Sequence, residues 1–509
     1  MPPFFFSGSN KMKIAMKRER LVTLISAAAV FAAGALAYAF VGPLSAQNTT
    51  PRPVQLAPPG NRALPALITP TSMSEVQLTF APVVKKVVPA VVNVYARSVV
   101  QQQVNPLLAD PFFSQFFGGT PEMRQRVQQS LGSGVIVRPD GIILTNNHVV
   151  EGGTDIVVAL SDKREFKAKV LLADARTDLA VLKIDAGGDK LPTVPFADSD
   201  KVQVGDLVLA VGDPFNVGQT VTMGIVSALA RSQMASGDSQ IFIQTDAAIN
   251  PGNSGGALVT TDGKLAGINT AIYSRSGGSI GIGFAIPANL ARRVVEGVEG
   301  GQGARGVRLS WIGATGQSVT SAIAASLGLP KPGGVLIKEV YPGGPLAAAG
   351  VKAGEVVQSV DGNDVDDMQG LNYRIATHKA GDRVRIHVAS GKSGRDVTAT
   401  VALPPETPAR EAQTVSGRNP LGGARIANLS PAAALDLGLD LFAKGVAITG
   451  VDDNSYAAAQ GFQTGDIIRA INGAEINRVG DLTRMLNAGR SWNIVLERGG
   501  RRAQLSFQG

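Results

Sequence analysis

Residues 250–256 of this chain read Asn-Pro-Gly-Asn-Ser-Gly-Gly and hold a serine between glycines. Because Gly252 and Gly255 lack a Cβ, the backbone can take a tight path and a carbonyl group can approach Ser254 closely. On that path the amides of Gly252, Asn253 and Ser254 could form an oxyanion hole. The same residues are also typical of an ordinary surface turn, so the heptapeptide alone leaves both interpretations open.

The residues after Ser254 indicate which fold holds it. An apolar run at 257–260 is followed by an Asp-Gly turn at 262–263 and a second apolar run at 265–268. This pattern predicts a β-hairpin. The nucleophile elbow of α/β-hydrolases shares the Gly-x-Ser-x-Gly pattern, but it requires a helix after the serine. The context therefore favours a mainly β domain.

A nucleophilic serine needs a base, and the chain contains only three histidines, His148, His378 and His387. His148 lies where a predicted β-hairpin ends and the chain turns. A neutral imidazole at that point can accept the proton of a serine hydroxyl. The alternative is a histidine that only caps the end of a strand.

The third group should be a carboxylate that holds the imidazole in one tautomer. Asp178 is the best candidate, because it lies where a polar turn leads into an apolar strand. Asp174 is its nearest rival, and a solvated surface position is the alternative for both. The order His148, Asp178, Ser254 is that of chymotrypsin rather than of subtilisin or the α/β-hydrolases.

Three segments carry a specific resemblance to the HtrA (Deg) serine proteases: residues 145–150 (TNNHVV), 177–183 (TDLAVLK) and 244–256 (QTDAAINPGNSGG). The resemblance runs from about residue 74 to the end and is strongest to two-PDZ members of the DegP, DegQ and MucD type. It implies a mainly β fold, with a chymotrypsin-like double β-barrel protease domain at 76–298. Regularly spaced short strands in this region agree with two antiparallel barrels.

An internal repeat with a period of 111 residues follows the protease region. Residues 350–362 align with residues 461–473, which indicates two copies of one small domain rather than a solenoid. The pattern resembles PDZ domains, predicted at 305–403 and 421–509 with a linker at 404–420. PDZ domains bind peptide C-termini by adding them as a strand.

The peptide-binding residues of the first PDZ copy are predicted from its expected carboxylate-binding loop, which contains Trp311, Ile312 and Gly313. Residues 421–424 are a weaker candidate for the same loop in the second copy. The alternative for Trp311 is a side chain that is simply packed in the core.

Composition excludes several other functions. The net charge is +8, but half of it lies before residue 21, and the rest of the chain has no basic block that would indicate nucleic-acid binding. The chain contains no cysteine, so disulfides and cysteine chemistry are excluded. Gly391-Lys392-Ser393 fails as a P-loop because Ile386 stands where its first glycine belongs. No Cys/His cluster suits zinc, and we expect neither a metal nor a cofactor.

The N-terminal region predicts export. Residues 21–41 carry no charge, follow a basic stretch and are long enough to cross a bilayer, while residues 44–46 form a tolerable cleavage site. Residues 1–46 are therefore predicted to be a signal peptide or an inner-membrane anchor, and 47–75 a flexible spacer. We expect a periplasmic protein that contacts the membrane only if this segment stays uncleaved. Residues 76–82 resemble the segment that trimerises the family, which implies a homotrimer or a multiple of trimers.

The resemblance thus implies an ATP-independent periplasmic serine endoprotease that degrades misfolded or unfolded proteins. His148 would accept the proton of Ser254, Asp178 would orient the imidazole, and the PDZ domains would bind and regulate substrate. Apolar residues around the expected specificity pocket, such as those at 247–249, predict cleavage after small aliphatic residues. Two alternatives remain open: a chaperone or scaffold that holds unfolded chains, and a membrane-anchored regulatory protease.

Overall fold

The computed structural model describes residues 79–103, 123–213, 218–231, 241–250, 252–272, 279–301, 307–391 and 393–508. The predicted signal or anchor segment, the spacer and residues 76–78 of the predicted trimerisation segment lie outside these residues. The described part begins with a short helix, α1 (Ala81–Val87). No helix in this part combines the length and the apolar character needed to cross a bilayer.

The first six strands close into a barrel in the order β1-β2-β3-β6-β5-β4. Their bounds are Val91–Gln103 (β1), Met123–Arg138 (β2), Ile142–Asn146 (β3), Asp155–Ala159 (β4), Glu165–Asp174 (β5) and Leu179–Ile184 (β6). The turn between β2 and β3 requires glycine, because Gly141 has φ +93° and a Cβ there would lie 2.5 Å from the carbonyl oxygen of Ile184. This hairpin is followed directly by helix α2 (Asn147–Val150), which contains His148.

The next six strands close into a second barrel in the order β10-β11-β12-β9-β8-β7. Their bounds are Leu207–Gly212 (β7), Thr220–Arg231 (β8), Phe242–Thr245 (β9), Ala257–Thr260 (β10), Leu265–Ile272 (β11) and Gly283–Pro287 (β12). The hairpin predicted after Ser254 is β10 and β11, with Ala257 opposite Ile268. The chain then enters helix α3 (Ala288–Glu299).

One apolar core joins the two barrels. Side chains from both barrels and from α3, among them Val135, Leu182, Leu209 and Val294, belong to a single cluster of buried residues. Each fully buried side chain of this size stabilises the fold by roughly 1.5–3 kcal/mol. The core therefore fixes the position of the second barrel, which carries Ser254, against the first, which carries His148 and Asp178.

The C-terminal part contains two sheets of similar topology. The first has the order β13-β14-β15-β17-β18, with β16 paired to β15. Its bounds are Ala314–Ser318 (β13), Val335–Val340 (β14), Val356–Val360 (β15), Asn363–Asp364 (β16), Arg383–Ser390 (β17) and Ser393–Thr400 (β18), with helices Ser321–Leu327 (α4), Pro345–Ala348 (α5) and Met368–Ala376 (α6).

The second sheet has the order β19-β20-β21-β22-β24-β25, with β23 paired to β22. Its bounds are Gln413–Thr414 (β19), Ala424–Asn428 (β20), Val446–Val451 (β21), Ile467–Ile471 (β22), Ala474–Glu475 (β23), Ser491–Arg498 (β24) and Arg501–Gln508 (β25), with helices Pro431–Asp436 (α7), Tyr456–Ala459 (α8) and Val479–Ala488 (α9). The predicted class, a mainly β chain with a double barrel followed by two PDZ domains, is confirmed.

Ion pairs connect the barrels to both C-terminal sheets. Arg374 of α6 donates to Asp200 at 2.6 Å, and Arg176 of the first barrel donates to Asp436 of α7 at 2.8 Å. Burial raises the pKa of Asp200, while the charge of Arg374 opposes this shift. Because these carboxylates are partly buried, loss of one partner would leave a poorly solvated charge at a domain contact.

Candidate active site

The residues predicted to form the catalytic triad come from three different elements. His148 lies in α2, directly after β3, and Asp178 immediately precedes β6. Ser254 lies in the loop between β9 and β10 of the second barrel. Asp178 has φ +50°, a left-handed conformation that is unusual outside glycine. The site thus depends on how the two barrels pack together.

Asp178 contacts His148 through both the imidazole and the backbone. The Nδ1 atom of His148 lies 2.9 Å from Oδ2 and 3.0 Å from Oδ1 of Asp178, and the His148 amide donates to Oδ1 at 3.1 Å. A carboxylate can only accept, so in the neutral imidazole Nδ1 carries the proton and Nε2 keeps a free lone pair. The His148 side chain is 46% exposed, so Nε2 is accessible to a hydroxyl group from which it can accept a proton.

The rival carboxylate, Asp174, has a different partner. Its side chain is 6% exposed and accepts a hydrogen bond from Nε of Arg176 at 3.1 Å. The structure therefore brings Asp178, and not Asp174, to His148.

Thr270 is a residue of this site that the sequence did not reveal. Its hydroxyl donates to Oδ2 of Asp178, and its carbonyl accepts a hydrogen bond from Oγ of Ser254 at 3.1 Å. The only signal in the sequence is a hydroxyl residue in a largely apolar strand, which is too common to indicate a role. Thr270 links the carboxylate of the first barrel to the serine of the second.

The hydroxyl of Ser254 makes no hydrogen bond to His148 in this structure. Among the described residues, its hydrogen-bond partner is the Thr270 carbonyl. A hydroxyl has one proton to donate, so Ser254 must leave that carbonyl before it can donate to Nε2 of His148.

The loop before Ser254 is folded back on itself. The amide of Asn253 donates to the carbonyl of Asn250 at 3.0 Å, so this member of the predicted oxyanion hole is engaged within the loop. No residue in the described part of the chain accepts a hydrogen bond from the amides of Gly252 or Ser254. These two amides are the ones that can bind an oxyanion. Pro251 lies outside the described residues.

Glycine is required at position 255. Its φ is +82°, and a Cβ there would lie 2.1 Å from the carbonyl oxygen of Ser133 and 2.4 Å from Oγ1 of Thr145. Both contacts are far below the van der Waals distance, so a side chain would push the serine loop away from the first barrel.

Asp213 follows β7 and lies next to this loop. It is buried, and its amide donates to Oγ of Ser133 at 2.8 Å. Burial raises the pKa of the Asp213 carboxyl, while the charge of Lys163 opposes this shift. Within the described residues, no cluster of His, Asp and Glu is suited to bind a metal ion.

The predicted peptide-binding loop of the first PDZ domain lies beside an unpaired strand edge. Among the described residues β13 pairs only with β14, and α6 packs next to it. The amide of Trp311 donates to the carbonyl of Ala402 at 2.9 Å, whereas those of Ile312 and Gly313 have no acceptor in the described part. The Trp311 ring is buried and packs edge-on against Tyr341.

The corresponding edge of the second PDZ domain is covered by the chain itself. Strand β19 pairs with β20, with Gln413 opposite Ile426, and the Val415 amide donates to the carbonyl of Ala424 at 2.8 Å. The Gln413 side chain donates to Oγ1 of Thr483, on helix α9, at 2.7 Å. The linker thus occupies the position where a peptide would add to this sheet.

The chain is similar in sequence to known proteins. Residues 132–268 match the trypsin-like peptidase domain, and residues 305–403 and 447–498 each match a PDZ domain. A relative from Brucella melitensis biotype 1, named probable periplasmic serine endoprotease DegP-like, is 38% identical and covers 94% of both chains. A relative of the same name from Chlamydia pneumoniae is 37% identical over 83% of this chain and 88% of its own.

A solved structure of the HtrA-type protease AlgW with a decapeptide is 43% identical, covers 64% of this chain and 99% of its own, and has a TM-score of 0.47. The full-length relatives and the domain matches confirm the resemblance predicted from the three motifs. This chain is a serine endopeptidase and belongs to the HtrA (Deg) family of DegP-like proteases with two PDZ domains.

Proposed function

We propose that this endopeptidase degrades misfolded or unfolded proteins in the periplasm without ATP, with His148, Asp178 and Ser254 as its catalytic triad. The observation that carries the proposal is the contact of Asp178 with Nδ1 of His148 at the junction of the two barrels. That contact leaves Nε2 free, and Ser254 is tied to the same carboxylate through Thr270.

In the proposed mechanism, Ser254 first turns its hydroxyl from the Thr270 carbonyl to Nε2 of His148. The imidazole accepts the proton while Oγ attacks the scissile carbonyl, and Asp178 stabilises the imidazolium that forms. The amides of Gly252 and Ser254 stabilise the negative oxygen of the tetrahedral intermediate. The imidazolium then donates its proton to the leaving amine, and a water molecule repeats the sequence on the acyl-enzyme.

The first PDZ domain is the one that we propose to bind peptide C-termini. The open edge of β13 can accept an added strand, and the unengaged amides of Ile312 and Gly313 can bind the terminal carboxylate. Trp311 belongs to this proposed peptide-binding loop, and the packing of its ring against Tyr341 supports the loop backbone. In the second PDZ domain the linker already occupies the equivalent edge, so its proposed role is regulation.

The rest of the proposal concerns export, the spacer and assembly. Residues 1–46 direct export, residues 47–75 act as a spacer, and a trimer or a multiple of trimers forms. The periplasmic names of the two relatives support this location.

Digestion of reduced casein without ATP tests the function. The purified protein is compared with Ser254→Ala and with Ser326→Ala, a matched change at a serine that bonds only within helix α4. We expect the parent and Ser326→Ala to cut casein after small aliphatic residues, and Ser254→Ala to be inactive. If the parent does not cut casein but suppresses its aggregation, the chaperone alternative replaces this proposal. Cleavage by Ser254→Ala would show that the nucleophile lies elsewhere.

A further inference from the structure

Ser133 connects the first barrel to the loop that carries the nucleophile. It lies in β2, opposite Asn93 of β1, and its side chain is completely buried. Its neighbours across the barrel junction are Gly252 and Ser254, about 120 positions later in the sequence. No motif singled it out, and the proposed mechanism does not use it.

Every polar group of Ser133 has a partner. Its amide donates to the carbonyl of Ser254 at 2.8 Å, and its hydroxyl donates to the carbonyl of Gly252 at 2.6 Å. The same hydroxyl accepts from the amide of Asp213 at 2.8 Å, and the carbonyl of Ser133 accepts from Oγ1 of Thr145 at 2.7 Å. One buried hydroxyl thus joins β2 to two segments of the second barrel.

The bond to the Gly252 carbonyl fixes a peptide plane in the oxyanion loop. At the other end of this plane, the amide of Asn253 donates to Asn250 at 3.0 Å. A peptide unit is rigid, so bonds at both ends prevent its rotation. The Gly252 amide belongs to the preceding peptide unit, which is joined to the held unit through the Gly252 Cα. Since Gly252 has φ +102° and no side chain, the held unit is the main restraint on the direction of that amide.

The amide of Ser133 binds on the C-terminal side of the nucleophile. It binds the Ser254 carbonyl and so fixes the peptide plane that follows the nucleophile. Any residue except proline would make this bond, whereas only a small hydroxyl residue can also bind the Gly252 carbonyl in a buried space. The hydroxyl is therefore the part of Ser133 with a specific role.

We propose that Ser133 is a positioning residue of the endopeptidase, whose hydroxyl holds the Gly252 amide in the direction needed to bind the oxyanion. The proposal rests on the proposed function, because it assumes that the amides of Gly252 and Ser254 form the oxyanion hole. Ser133 contacts neither substrate nor the reacting atoms and acts only through the loop.

The test is Ser133→Ala, with kcat and KM measured on a peptide substrate ending in a chromophoric amide. Loss of one direct oxyanion donor lowers kcat by about 100- to 1,000-fold. Because Ser133 acts indirectly, we expect kcat to fall about 10- to 100-fold while KM changes less than about twofold. A peptide boronic acid, which forms a tetrahedral adduct with the serine, should lose affinity by about the same factor as kcat.

The matched control is Ser430→Ala in the second PDZ domain. Ser430 is also a buried serine whose hydroxyl donates to one group, Glu406 at 3.2 Å, and accepts from one amide, that of Ala433 at 3.2 Å. The control should lose comparable thermal stability and keep its kcat. If Ser133→Ala does not fold, Ser133→Cys replaces it, because a thiol is small but a weak donor, and the same fall of kcat is expected.

Two results would overturn the proposal. One is a folded Ser133→Ala with the kcat of the parent, and the other is a rise of KM at unchanged kcat. Ser254→Ala measured in the same assay separates this proposal from the proposed function. If Ser254→Ala is inactive and Ser133→Ala is fully active, only the role of Ser133 is refuted; if Ser254→Ala is active, the proposed function itself is refuted.

Discussion

Thr270→Val tests whether the Thr270 hydroxyl supports the charge of Asp178. Valine has nearly the shape of threonine, so the change removes the donor to Oδ2 and leaves β11 in place. The backbone carbonyl that accepts from Ser254 also remains. Asp178 keeps two other donors, the imidazole and the amide of His148. The substitution therefore removes one of three hydrogen bonds to this carboxylate.

The expected loss of activity follows from the number of hydrogen-bond donors that Asp178 keeps. A hydrogen bond to a charged group contributes roughly 1.5–3 kcal/mol. Because two donors remain, we expect the lower value, about 1.5 kcal/mol, which corresponds to about a tenfold loss of kcat/KM. The carboxylate is needed most when the imidazolium forms, so the loss should fall on kcat, and KM should stay within about twofold.

The assay is initial-rate hydrolysis of a peptide substrate, together with thermal unfolding of each variant. The control is Thr377→Val, which removes a half-buried hydroxyl that donates to a backbone carbonyl, that of Arg374 at 2.8 Å, and not to a carboxylate. It should leave kcat unchanged. If Thr270→Val keeps the kcat/KM of the parent, or if Thr377→Val loses as much activity, the Thr270 hydroxyl has no special role.

Three further predictions concern the loop, the linker and the PDZ grooves. Gly255→Ala should lower activity by more than about 100-fold, because a Cβ would collide with the first barrel, whereas Gly187→Ala, at similar φ but in open space, should be fully active in the same rate assay. Burial opposes the shift, but hydrogen bonds from Arg410 and Ser430 lower the pKa of Glu406 below its ordinary 4.5. The resulting stabilisation is present at neutral pH and lost as pH falls through the lowered pKa, so Glu406→Gln should reduce the unfolding free energy by roughly 1 kcal/mol at pH 7 and by progressively less as the pH falls below 4.5; a loss that does not change with pH would contradict this. In hydrogen exchange, a peptide with a free C-terminus should protect residues 314–318 and leave 424–428 unchanged, because the linker already covers the second edge; equal protection of both would refute that reading.

The linker forms a feature of the second PDZ domain that the internal repeat did not predict. The sequence predicted two copies of one domain from residues 350–362 and 461–473, and both copies have similar sheets. The repeat does not include residues 413–414, so nothing in it indicated that the second sheet has one more strand than the first. Strand β19 forms because the linker is long enough to run back along β20. The path of the linker in space cannot be read from the repeat.

The sequence by itself determined the features that depend on neighbouring residues. The hairpin at 257–268 follows from two short apolar runs and an Asp-Gly turn, and the three motifs identified the family. The order of His148, Asp178 and Ser254 along the chain was also visible in advance. Local structure and short motifs depend on residues that are close together in the sequence, so the sequence alone predicts them.

The tertiary structure decided the contacts between distant segments. Thr270 reaches Asp178 from 92 positions away, and Ser133 reaches Gly252 from 119 positions away, each through a single hydrogen bond. The direction of the Ser254 hydroxyl, toward Thr270 rather than His148, was equally invisible. These contacts arise because the apolar core packs the two barrels together in one orientation, and a sequence pattern does not contain that orientation.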